Sequence, residues 1–73
     1  MTLSNVKIGE SVKLVSIRGG AQIRRRLADL GLNTGMTVQV INGIVDGPLI
    51  LSVKDSRLAI GRGMAEKIVV ERV

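Results

Sequence analysis

The sequence contains no aromatic residue, no cysteine, no histidine and a single proline. Each absence removes a class of function. Without Cys or His there is no thiolate or imidazole for a transition-metal site, and no nucleophile–base pair of the kind hydrolases use. The lack of disulfides leaves stabilisation to the core and points to a reducing compartment, so the cytoplasm is the expected location. Without Phe, Tyr or Trp the surface cannot stack nucleobases, nor can it build the aromatic groove that reads proline-rich peptides. The longest apolar run, Pro48-Leu49-Ile50-Leu51, falls far short of the ~20 residues of a membrane span, so no insertion into a bilayer is expected. Met1–Val6 has neither the basic nor the long apolar region of an export signal.

At 73 residues the chain fits one domain, 1–73, with a core of Val, Ile, Leu, Met and Ala. Its six carboxylates, Glu10, Asp29, Asp46, Asp55, Glu66 and Glu71, are scattered and form no pair suited to acid–base work. We therefore expect no enzyme, no cofactor and no dedicated metal site. The net charge of +5 suits an anionic partner, but a solvated basic face explains it equally well.

Along the chain the hydrophobic period changes once. Leu3, Val6 and Ile8 form an apolar amino-terminal arm that is expected to lie across the core and turn at Gly9. Ser11–Arg18 reads as a first strand whose inward face changes part-way, as at a bulge. After the breaker pair Gly19-Gly20 the period lengthens to 3.6: Ile23, Leu27 and Leu30 share one face of a helix over about 21–30. Gly31 is placed as its left-handed cap, with Leu32 packing back.

Period two then returns. Met36–Ile41, Leu49–Val53, Leu58–Ile60 and Lys67–Val73 read as strands, separated by turns at Asn33–Gly35, Asp46-Gly47 and Lys54–Arg57 and by a helical turn at about 62–66. Five short strands, one inserted helix and tight connections predict a mainly β fold, a small bent barrel whose closure hides the sheet edges. Gly20, Gly31, Gly35 and Gly61 are expected to be architectural, as are Leu27 and Leu30.

The run Arg26-Leu27-Ala28-Asp29-Leu30-Gly31-Leu32-Asn33-Thr34-Gly35, read with Ile60-Gly61-Arg62-Gly63-Met64-Ala65-Glu66-Lys67-Ile68-Val69-Val70, resembles the FeoA family of ferrous iron transport accessory proteins. That family carries Arg-Leu-x-x-Leu-Gly-Leu-x-x-Gly and a late Leu-Gly-x-x-x-Ala-x-x-Ile-x-Val segment. Here Ile60 replaces the Leu, a volume-conserving change. The resemblance implies an SH3-like barrel and a cytoplasmic partner of the FeoB membrane iron transporter, contacted through its GTPase part. It extends to the carboxy-terminal module of iron-dependent repressors, but no DNA-binding domain accompanies it here, which favours the transport accessory.

Three readings of Arg24-Arg25-Arg26 stay open. They form a solvated face with Arg26 paired to Asp29; or they dock an acidic surface of the transporter, as the resemblance implies; or they meet nucleic acid by weak phosphate contact without specificity. For docking, the expected surface joins these arginines to Ile44, Val45, Asp46 and Pro48, taken as a neighbouring loop. An apolar patch there, or an exposed edge strand, would alternatively pair two copies of the chain.

Overall fold

The computed structural model describes residues 1–43 and 47–73. Five strands follow the alternating segments: β1 (Ser11–Ile17), β2 (Thr37–Gly43), β3 (Leu49–Val53), β4 (Ser56–Ile60) and β5 (Ile68–Arg72). They form one antiparallel sheet in the order β4-β3-β2-β1-β5. A flat sheet of this width would be thin, because strands lie about 4.8 Å apart and only side chains add depth. The molecule instead measures 29 × 25 × 23 Å. The sheet is curled, and its concave face holds the core.

Alternation decides what enters that core. Val12 and Leu14 of β1, Val38 and Val40 of β2, Leu49, Leu51 and Val53 of β3, Ile60 of β4 and Ile68 and Val70 of β5 are buried. The inward face of β1 changes at a bulge between Leu14 and Ser16, which leaves Val15 exposed and turns Ile17 toward the core. A second bulge, between Val40 and Asn42, has no counterpart in the sequence pattern. Among the described residues no polar or charged side chain is buried.

The amino-terminal arm forms a short 3-10 turn, Leu3–Asn5. Leu3 and Val6 are buried, but Ile8, expected inside, is 63% exposed. Gly9, at φ +92, has already turned the chain: its N–H donates to the Val40 carbonyl (2.6 Å), and the residue before it is swung outward.

Barrel closure also differs from expectation. β4 and β5 do not pair with each other. The connection between them runs through the short helix α2 (Arg62–Ala65), whose buried Ala65 packs beside the amino-terminal turn. This helical turn, with Ala65 inside, stands between the two strands in the chain where direct pairing was expected.

Candidate functional site

α-Helix α1 is set between the end of β1 and the start of β2 and spans Ala21–Asp29. Its seat is fixed at its carboxy-terminal end. The turn that follows it is bonded to β1, with the Gly35 N–H donating to the Leu14 carbonyl (2.7 Å) and the Leu14 N–H to the Met36 carbonyl (2.8 Å). The helix ends in a paired cap: the Gly31 N–H donates to the Ala28 carbonyl and the Leu32 N–H to the Leu27 carbonyl, both at 2.9 Å. These are the two bonds of a Schellman motif, which needs a left-handed residue at Gly31. Gly31 supplies it at φ +91, and Gly35 turns the chain again at φ +89.

Expectations at Leu30, Gly20 and Gly61 are corrected by the backbone geometry. Leu30 is 45% exposed, because the left-handed step at Gly31 carries Leu32 under the helix in its place; Leu27 and Leu32 are the fully buried pair. Gly20 and Gly61 lie at φ −77 and −63 with ψ near the extended value, a conformation open to any residue, so neither backbone position requires glycine.

The three arginines are exposed, but they do not form one surface. Successive helical residues are turned by about 100°, so Arg24, Arg25 and Arg26 fan apart. Arg24 lines a groove against β1, with Ile17, Ala28 and Leu32 as its apolar part and Ser16, Asn33 and Thr34 as further polar groups. Arg26 stands one turn before Leu30, whose N–H donates to the Arg26 carbonyl (3.2 Å). Leu30 in turn borders a second groove, with Met36, Val53 and Leu58 and the cations Lys54 and Arg57. Arg26 does not pair with Asp29; the ion pair found among the described residues joins Arg72 to Glu10 (3.0 Å).

Of the expected joint surface between the arginines and the segment at 44–48, Pro48 is the loop residue that the structure describes. Ile44, Val45 and Asp46 lie outside the described residues. Their flanks are informative: Gly43 pairs with Leu49, and exposed Pro48 precedes β3. In an antiparallel meander successive connections alternate between the two ends of the sheet. α1 occupies the β1–β2 end, so Gly43 and Pro48 lie at the opposite one. The connection that shares α1's end is the β3–β4 hairpin at Lys54-Asp55, closed by the Val53–Ser56 pair. Lys54, Arg57, Leu58 and Met36 are thus the residues that sequence reasoning missed. Counting connections from one end to the other was the signal that could have found them.

Chemically the surface offers cations, hydroxyls, an amide and aliphatic groups. Among the described residues no group of three or more His, Cys, Asp or Glu is placed to hold a metal ion.

The FeoA domain family matches residues 1–72. The chain belongs to the FeoA family. A protein of Methanocaldococcus jannaschii named as an Fe(2+) transport protein A is 44% identical over 69 residues, covering 94% of this chain and 83% of its own. The crystal structure of an iron uptake regulatory protein, FeoA, matches with a TM-score of 0.90 at 38% identity, covering 99% of this chain and 95% of the other. The zinc complex of Stenotrophomonas maltophilia FeoA, described as a prokaryotic SH3 domain protein, matches at TM-score 0.81 and 29% identity, over 97% and 89% of the two chains. The curled five-stranded sheet is therefore an SH3-like domain. A manganese-dependent transcriptional repressor shares the fold alone, at 17% identity.

Proposed function

We propose that this FeoA-family chain is a cytoplasmic, non-enzymatic adaptor of ferrous iron uptake that docks on the cytoplasmic GTPase part of an FeoB-type membrane transporter and modulates it. The observation that carries the reading is the exposed arginine fan of Arg24, Arg25 and Arg26 on α1, a helix closed by the Gly31 cap, with no ion pair to these arginines among the described residues. Guanidinium groups presented this way recognise carboxylates in two-bonded forks. Family membership and a relative named for Fe(2+) transport support the direction of the reading. So does S. maltophilia FeoA, described as a candidate ferrous iron transport activating factor. With no described polar side chain buried, an adaptor fits this domain better than an enzyme.

Pull-down with the transporter's cytoplasmic part tests it. The triple variant Arg24→Ala, Arg25→Ala, Arg26→Ala is expected to lose binding at least about tenfold while melting like the parent, because exposed charges contribute little to folding but much to an interface. Unchanged binding by the folded variant would overturn docking through α1. A metal-responsive role like that of the repressors is favoured by no observation here beyond shared fold.

A further inference from the structure

The two edges of the sheet are not equivalent. β5's outer side meets the amino terminus: Thr2 bridges Val69, and the Val70 N–H donates to the Met1 carbonyl (2.8 Å). Among the described residues β4 pairs only with β3. In the β3–β4 hairpin the pairs Val53–Ser56, Leu51–Leu58 and Leu49–Ile60 face each other across alternate positions of the ladder. A two-residue loop makes the pair flanking it a hydrogen-bonded one, and bonded and non-bonded pairs then alternate. Arg57 and Ala59, opposite Ser52 and Ile50, therefore aim their N–H and C=O groups away from β3. Among the described residues no turn or terminal segment bonds to them.

The side chains beside this edge are also unusual for the molecule. Leu58 is half-buried against the core, and with Met36 and the exposed Leu30 it forms the apolar part of the second groove. Lys54 and Arg57 line the same groove, with Arg26 one helical turn from Leu30. Asp55, at the hairpin tip, is the one acidic group on the β3–β4 hairpin, so the cations prevail. A backbone template, an apolar trough and a cationic rim lie side by side.

We infer that the open edge of β4, with the trough of Leu30, Met36 and Leu58 beside it, binds an extended acidic segment of a partner protein by strand addition. Main-chain bonds to Arg57 and Ala59 supply the pairing, alternate apolar side chains enter the trough, and carboxylates between them meet Arg57 and Lys54. The charge argues against a second copy as occupant: two β4 edges face to face would bring together Lys54 and Arg57 from both chains, each of net charge +5. The inference deepens the docking reading above by naming the shape and chemistry of what is held.

The test uses a short alternating Glu-Val peptide, acetylated and amidated, with amide hydrogen exchange as readout. In the free protein the Arg57 and Ala59 amides exchange fast; with the peptide they slow at least about tenfold. Ala59→Pro removes an outward N–H without touching the β3 ladder or any charge, and an edge strand tolerates it. It is expected to weaken peptide binding at least about tenfold, one net hydrogen bond's worth or more. Should that variant fail to fold, the double variant Lys54→Glu, Arg57→Glu, confined to exposed side chains, is expected to lose the peptide to the same degree. Protection confined to other amides, equal binding by a Lys-Val peptide, or undiminished binding by the folded variants would overturn the inference. Dimerisation of the chain alone in sedimentation, abolished by Ala59→Pro, would make a second copy the occupant and overturn it too. Because the transporter takes no part, failure here leaves the α1 docking reading to stand or fall on its own pull-down.

Discussion

β4 and β5 are both five-residue edge strands of one sheet, yet they meet water differently. β5 is covered by the chain's own first residues, anchored by a fully buried Leu3. β4 carries exposed Ser56, Arg57 and Ala59 and nothing along its outer side among the described residues. An uncovered edge is a template for another chain, and folds protect it with charge or cover it. Here one edge is covered and the other is charged, and a charged edge excludes like partners while admitting opposite ones. The difference separates a side of the barrel built for stability from one available for recognition.

Truncation at each edge is the strongest way to break this contrast. Leu3→Ala is expected to cost about 2–5 kcal/mol, the range for deleting a fully buried leucine side chain, and to loosen the cover over β5. Leu58→Ala, at a half-buried position beside β4, is expected to cost only about 1 kcal/mol. Urea unfolding of the two variants reads the difference directly. Equal losses would mean that the β4 side is as much a part of the folding core as the β5 side.

Next in size is the cap that sets Leu30 beside the open edge. Gly31→Ala keeps open space around the new methyl group, so its cost is conformational: an L-residue at φ +91 is strained by about 1–2 kcal/mol. The melting midpoint should fall accordingly, while exchange of the Val70 amide at the other edge keeps its rank among the slowest. A shift in both edges together would show that α1 and the amino-terminal cover are one cooperative unit.

The same positions mark what a reader of the sequence can and cannot see. α1 is legible because its signals are local: a glycine pair before it, a period of 3.6, and Gly31-Leu32 after it. The strands are legible wherever alternation is strict, as in Leu49, Leu51 and Val53. Ile8 and Leu30 mislead because a left-handed glycine next to each changes the direction of the chain, and hydrophobicity alone cannot register that change. The grouping of surface residues is less legible still. Arg24, Arg25 and Arg26 are adjacent in sequence and diverge in space, whereas Leu30, Lys54 and Arg57 are distant in sequence and line one groove. Pro48 is separated from α1 by nothing more than the parity of strand connections. Which edge stays open depends on sheet order, and no local pattern encodes it.

The smallest expected effect concerns the ion pair at the end of the covered strand. Arg72 of β5 bonds Glu10 at 3.0 Å, but its own side chain is 73% exposed, so solvent screens the attraction and ordering a long side chain offsets part of it. Arg72→Ala should therefore lower stability by only about 0.2–1 kcal/mol, and the difference from the parent should shrink in about 1 M salt, where the screening length is near 3 Å. Denaturation at two salt concentrations measures it. Because the cover over β5 rests on the buried Leu3 and on backbone bonds from Thr2 and Met1, the Val70 amide should stay protected in this variant. If its protection collapsed, the edge would be closed by charge rather than by packing, and the distinction between the two edges would reduce to which charges each carries.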